Sequence, residues 1–138
     1  MSFLKNLFKS KSNKTGLIFI VEDNTMYAKT LETFIHSEFP GKEVRIFPVG
    51  ETALMDLKRN PDVIIMDYYL DSKYHDAETG LETIRQIREK DKEMNIIVLS
   101  SQEDISVVIE SVKKHHCSYV KKDSEAFGRI ASLLREIL

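Results

Sequence analysis

The chain has 138 residues, of which 42% are hydrophobic, so it is long enough to form one domain around a buried core without disulfide or metal cross-links. Its formal net charge is -2, with 30% of the residues charged and both signs represented, which excludes a global field that would attract nucleic acid or an anionic surface. Cys117 is the only cysteine, which excludes an internal disulfide and favours a reducing compartment such as the cytoplasm.

The first sixteen residues differ from the rest of the chain. They contain four lysines and no acidic residue, with Phe3, Leu4, Leu7 and Phe8 at helical spacing. They lack the apolar core and the cleavage site of a signal peptide, and we interpret 1–16 as a basic, weakly amphipathic extension of a domain formed by 17–138. No apolar run approaches the roughly 20 residues that a membrane span needs, so we expect no stable membrane insertion.

Short apolar runs alternate with stretches of helical periodicity along the remainder of the chain, which is typical of a parallel sheet covered by helices on both faces. The predicted strands are 17–22, 43–47, 63–67, 95–100 and 118–121. The predicted helices are 25–39, 51–59, 81–90, 104–115 and 124–138. Because crossovers between parallel strands are right-handed, few strand orders remain, and we predict a three-layer α/β sandwich with the flavodoxin-like order 2-1-3-4-5.

Polar side chains follow the carboxyl ends of the predicted strands, where sheets of this kind place their functional residues. They are Glu22, Asp23, Asp67, Ser100 and Lys122. Each alone has an ordinary interpretation as a helix cap, a turn residue or a solvated side chain. Together they are more informative, because the first and third strands would be neighbours and would bring three carboxylates together. Two like charges about 4 Å apart cost on the order of 4 kcal/mol at an effective dielectric near 20, so a cation is expected between them.

Carboxylate ligands with positions left open for substrate suit Mg²⁺, with Mn²⁺ as the alternative ion. We therefore predict a metal site formed by Glu22, Asp23 and Asp67. Phosphoryl transfer requires an in-line nucleophile and positive charge on the oxygens of the moving group. Asp67 is the predicted nucleophile, and the metal, the Lys122 ammonium and the Ser100 hydroxyl are the predicted partners of the phosphoryl oxygens.

Five segments of the chain resemble the receiver domain of two-component response regulators, in particular the stand-alone, chemotaxis-regulator type. The segments are FIVED at 19–23, VIIMDYYL at 63–70, TGLE at 79–82, IIVLSS at 96–101 and YVKKD at 119–123. The resemblance extends from about residue 17 to the C-terminus, and these motifs together are highly specific.

The resemblance implies a role for each of the residues at the strand ends. Glu22 and Asp23 would be the acidic pair, Asp67 the phosphoacceptor, Ser100 the switch hydroxyl, Tyr119 the switch aromatic and Lys122 the conserved-type lysine. The backbone carbonyl of Tyr69 would complete the metal shell. Tyr69 and Gln102 would control the access of hydrolytic water, and a bulky Tyr69 implies slow loss of the phosphoryl group.

The chain departs from the family pattern in two places, which are the end of the fifth predicted strand and one loop. Asp123 stands where the family usually has a proline, so we expect no cis peptide there and a differently set loop around Lys122. The loop between Asp67 and Gly80 is longer than usual. Its polar residues are Asp71, His75, Asp76 and Glu78. We interpret them as a solvated acidic loop rather than as a second metal site.

The resemblance also implies partners. A histidine kinase or a phosphotransfer protein would donate the phosphoryl group, and an unknown downstream protein would bind the switched surface formed by the fourth helix, fifth strand and fifth helix. The chain stops where the last helix should end, so we expect output through a partner and a monomer or weak dimer. We expect no enzyme activity beyond the chain's own phosphorylation and dephosphorylation.

The sequence pattern has three alternative functional interpretations. A receiver-like interaction module that works without phosphorylation stays open, although the full set of acids, serine and lysine argues against it. A haloacid-dehalogenase-like phosphatase needs a second acid two residues after Asp67, where Tyr69 stands. A nucleotide-binding module needs a glycine-rich first loop, and 23–28 contains no glycine.

Overall fold

The computed structural model describes residues 14–68, 78–101 and 105–138. The strands are β1 (Leu17–Val21), β2 (Glu43–Phe47), β3 (Val63–Asp67), β4 (Asn95–Ser100) and β5 (Ser118–Lys121). The helices are α1 (Thr25–Glu38), α2 (Gly50–Met55), α3 (Glu78–Lys90), α4 (Ile105–Lys114) and α5 (Ala126–Ile137), with a 3-10 turn at Leu57–Arg59. The strands pair in the order β2-β1-β3-β4-β5, all parallel, which confirms the predicted fold class.

The sheet is buried on both faces, which explains why its central strands are continuous apolar runs. One face packs against α1 and α5 through Ile18, Ile20, Leu31, Ile35 and Ile130, among others. The other face packs against α2, α3 and α4 through Phe19, Ile64, Ile84, Ile87 and Val112, among others. Each fully buried aliphatic side chain contributes about 1.5–3 kcal/mol, so this double core fixes the strand register that positions the site.

The boundaries of several elements differ from the sequence prediction. The predicted helix 51–59 is a short α-helix followed by a 3-10 turn, which ends at Asn60 in a left-handed conformation with φ 57°. Backbone pairing continues one residue past β1, because the Glu22 N–H donates to the Phe47 carbonyl over 2.9 Å. Asn24 caps α1, since its side chain accepts a hydrogen bond from the Tyr27 N–H.

The end of the predicted N-terminal extension is tied to the domain. The Thr15 and Gly16 N–H groups donate to the Asp62 carboxylate over 2.9 and 2.8 Å. Residues 1–13 of the extension lie outside the described residues. So does Asp104, the first residue of the predicted helix 104–115. Among the residues that are described, none of the helices has the length and apolar character needed to span a bilayer.

Gly80 and Gly128 give a matched test of packing, because both lie in helices but only one is crowded. A methyl group at Gly80 would overlap the Tyr68 carbonyl, with its carbonyl carbon 2.8 Å away, whereas nothing lies within 4 Å of a methyl group at Gly128. Gly80→Ala should lower the free energy of unfolding by about 1–3 kcal/mol. Gly128→Ala should raise it by about 0.5–1 kcal/mol. Urea unfolding measures both, and equal shifts for the two variants would contradict this packing.

Candidate functional site

Three carboxylates meet at the carboxyl ends of β1 and β3. Parallel pairing sets Val21 opposite Met66, so the residues that follow each strand lie at the same edge of the sheet. Glu22, Asp23 and Asp67 each offer a carboxylate oxygen, and these oxygens lie within 4.8 Å of one another. Glu22 and Asp67 are buried and Asp23 is exposed. The structure therefore brings together the three residues that the sequence predicted as metal ligands.

Lys122 reaches into this cluster from the end of β5. Its backbone N–H donates to the Ser100 carbonyl over 3.0 Å, which extends the pairing of β4 with β5 by one residue. Its Nζ lies 2.6 Å from Glu22 Oε1 and 3.0 Å from Asp67 Oδ2. Three carboxylates face one ammonium, so the ionised cluster keeps an excess of negative charge. A divalent cation with a preference for oxygen ligands matches both the charge and the donor set.

Burial sets the protonation of the site. Desolvation raises the pKa of Glu22 to about 7, and the charge of Asp67 adds to this effect, while Lys122 and the Asn24 N–H oppose it. Burial by itself would lower the pKa of Lys122, but the carboxylates of Asp67 and Glu22 outweigh it and hold that pKa above its ordinary value. The ammonium therefore stays charged at neutral pH.

Ser100 and Tyr119 lie on the two strands beside Asp67. Ser100 ends β4 with its side chain fully buried, one residue past Leu99, the residue that pairs with Asp67. Tyr119 pairs with Val98, and its half-buried ring packs on the core beneath α2, α3 and α4. Ser100 is thus at the edge of the site, whereas Tyr119 lies one strand farther from the acids.

Several predicted site features fall outside the described residues. These are the Tyr69 carbonyl as a metal ligand, the tuning positions Tyr69 and Gln102, and the loop residues Asp71, His75 and Asp76. Their roles stay predictions. The Lys122–Asp123 peptide is trans, as the absence of proline led us to expect.

The sequence analysis did not assign Tyr27 to the site. The Lys122 Nζ nevertheless lies 4.4 Å from the centroid of the Tyr27 ring. Tyr27 lies in the first turn of α1, which begins two residues after Asp23, so it stays close to the acidic edge of the sheet. The position of Tyr27 close after the acidic pair was the feature of the sequence that could have assigned it to the site.

A groove opens beside the site between the start of α1 and the start of α5. Its volume is about 420 Å³, and its lining includes Met26, Tyr27, Asp123 and Phe127. Met26 is 80% exposed, although large apolar side chains are usually covered. The groove therefore borders the site at Tyr27, whose ring contacts the Lys122 ammonium.

Solved structures with the same fold cover most of the chain. The N-terminal domain of a response regulator/sensory box/GGDEF 3-domain protein from Carboxydothermus hydrogenoformans is 26% identical, with a TM-score of 0.70 over 88% of this chain and 93% of that chain. The Vibrio cholerae chemotaxis protein CheY4 is 19% identical, with a TM-score of 0.72 over 88% of this chain and 98% of that chain. The Mn²⁺-bound form of the response regulator Rcp1 is 19% identical, with a TM-score of 0.70 over 85% of this chain and 90% of that chain.

A comparison with curated proteins found no match. The family model of the response regulator receiver domain matches residues 18–134, which include all five strands except the first residue of β1, together with the acids, serine and lysine described above. The chain therefore belongs to the response regulator receiver domain family.

Proposed function

We propose that Asp67 accepts a phosphoryl group from a phosphohistidine of a histidine kinase or phosphotransfer protein, in a reaction that depends on Mg²⁺. The observation that carries this proposal is the cluster of three carboxylates, whose oxygens lie within 4.8 Å of one another, with the Lys122 ammonium 3.0 Å from Asp67. An all-oxygen donor set with excess negative charge fits Mg²⁺, and Mn²⁺ is the alternative ion. Glu22, Asp23 and Asp67 would hold it.

The nucleophile is a carboxylate oxygen of Asp67. It attacks phosphorus in line with the bond to the donor imidazole, so that an oxygen–phosphorus bond forms as the phosphorus–nitrogen bond breaks. When bound, the metal supplies positive charge to the phosphoryl oxygens. Lys122, with its Nζ 3.0 Å from Asp67, would supply a second positive charge, and its raised pKa keeps the ammonium protonated.

The same chemistry would make the partner-binding surface of the domain depend on phosphorylation of Asp67. Ser100 lies one residue past Leu99, the strand position that pairs with Asp67, and we propose that its buried hydroxyl moves to a phosphoryl oxygen once Asp67 is phosphorylated. Movement of β4 toward the phosphoryl group would change the space around Tyr119 on β5. We propose that this biases a two-state surface formed by α4, β5 and α5, which binds an unknown downstream protein.

The donor would approach through the groove beside α1 and α5, where exposed Met26 and the ring of Phe127 offer apolar contact. The free thiol of Cys117 supports a reducing compartment such as the cytoplasm. A receiver-like module that works without phosphorylation is not favoured, because Lys122 and three acids converge where phosphoryl transfer needs them.

Phosphorylation of Asp67 is tested by intact mass after incubation with acetyl phosphate and Mg²⁺. The wild type should gain the mass of one phosphoryl group, and Asp67→Asn should gain none, because an amide is not a nucleophile here. Asp62→Asn is the matched control, since Asp62 is a buried acid at the other end of β3. Lys122→Ala should slow the reaction by about a hundredfold. An adduct that persists in Asp67→Asn, or its absence from the wild type, would reject the proposal.

Metal binding should depend on pH because of Glu22. Its pKa of about 7 means that a proton occupies the carboxylate below that pH and must leave before a metal ion can bind. Mg²⁺ affinity should therefore fall as the pH falls below about 7, by about tenfold per pH unit for one competing proton. Isothermal titration calorimetry between about pH 5.5 and pH 8 measures this.

The control for the pH dependence is Glu22→Gln, which cannot titrate. This variant should bind Mg²⁺ weakly and with an affinity that changes little from about pH 6 to pH 8. A wild-type affinity that is constant across the same interval would show that Glu22 is already ionised, contrary to its burial.

A further inference from the structure

The Lys122 side chain needs more than its backbone to hold it in place. The Asp123 carboxylate accepts a hydrogen bond from the Glu125 N–H over 2.9 Å and pairs with Arg129, which fastens the connection from β5 to α5. A lysine side chain still has four flexible bonds and about 2 kcal/mol of rotamer entropy to lose. The position of its ammonium is therefore set by the groups around Nζ: Glu22, Asp67 and the ring of Tyr27.

Two of these three groups are shared with the proposed metal site. A cation on Glu22 and Asp67 would compete with the ammonium for the same two carboxylates. The face of the Tyr27 ring carries no metal-binding atom, so its attraction for Lys122 is independent of the metal. Such contacts are weak at exposed sites and become stronger when water is excluded.

The Tyr27 ring is itself held rigidly. Asn24 caps the helix turn that carries it, with its side chain accepting the Tyr27 N–H over 3.0 Å. The ring packs on Phe127 in a T-shaped arrangement, with 5.7 Å between the centroids and 75° between the ring planes. The Tyr27 hydroxyl oxygen is buried and has no hydrogen-bond partner within the part of the chain that the structure describes. The ring face, rather than the hydroxyl, is therefore the part of Tyr27 that acts on the site.

We propose that Tyr27 is a positioning residue for phosphoryl transfer, whose ring face holds the Lys122 ammonium beside Asp67 while a metal ion occupies the acidic cluster. This inference rests on the proposed function. Tyr27 touches neither the metal nor the phosphoryl group and acts through Lys122 alone. Its removal should therefore slow the reaction without removing a ligand or the nucleophile.

The test compares phosphorylation rates with acetyl phosphate at saturating Mg²⁺. Tyr27→Leu, which removes the ring, should slow the reaction by about three- to thirtyfold. Tyr27→Phe keeps the ring face and should restore the rate to within about twofold of the wild type. Phe34→Leu is the matched control, since Phe34 is also an α1 aromatic packed on Phe127, at 5.2 Å. Equal rates for Tyr27→Leu and wild type, or equal losses in Tyr27→Leu and Phe34→Leu, would overturn the proposal.

A double-mutant cycle separates positioning from a general structural effect. In a Lys122→Ala background, Tyr27→Leu should cause no further loss of rate, because the group that the ring holds is already missing. The same loss in both backgrounds would show that Tyr27 acts by another route. Tyr27→Met, a second ring-free variant, is measured in parallel and carries the test if Tyr27→Leu does not fold.

Proton NMR of the Lys122 methylene groups distinguishes this inference from the proposed function. A ring above the side chain should shift the ε-methylene protons upfield in the wild type and in Tyr27→Phe, and the shift should vanish in Tyr27→Leu. Its absence from the wild type would overturn the contact. No phosphoryl adduct on the wild type would overturn the proposed function together with the positioning role, whereas an adduct with an unchanged Tyr27→Leu rate would overturn the positioning role alone.

Discussion

Two buried carboxylates, Glu22 and Asp67, lie on neighbouring parallel strands and share the ammonium group of Lys122 at 2.6 and 3.0 Å. Like charges about 4 Å apart cost on the order of 4 kcal/mol at an effective dielectric near 20, so a cation beside the two carboxylates is strongly favoured. Burial raises the pKa of Glu22 to about 7 and the charge of Asp67 adds to this effect, so the single lysine does not fully offset them. A divalent ion would neutralise the negative charge of the carboxylates that Lys122 leaves unbalanced.

This arrangement connects three elements that are distant in sequence. β1 and β3 contribute the acids, and the end of β5 contributes the lysine, so binding at the site acts on the middle and on one edge of the sheet at once. Ser100 and Tyr119 lie on the intervening and terminal strands, within the same set of paired residues. Under the proposed function, phosphorylation of Asp67 would act through these strands on the surface formed by α4, β5 and α5.

The Tyr27 ring adds an uncharged contact to this electrostatic cluster. Carboxylates hold an ammonium strongly but also attract metal ions, so their hold on Lys122 depends on what else is bound. The aromatic face attracts the same ammonium without competing for the metal, and its packing on Phe127 links the site to the interface between α1 and α5. The position of Lys122 is thereby tied to the helices as well as to the strands.

By itself, the sequence determined the strand order, the two-sided core and the identity of the acids, serine and lysine at the strand ends. It could do so because continuous apolar runs mark doubly covered strands, and because parallel strands end at one edge. It did not determine the split of the predicted helix 51–59, where Asn60 adopts a left-handed turn. Nor did it determine the contact between Tyr27 and Lys122. Only the tertiary structure decided that contact. It joins two residues that lie far apart in the sequence, and it depends on how α1 and α5 pack together.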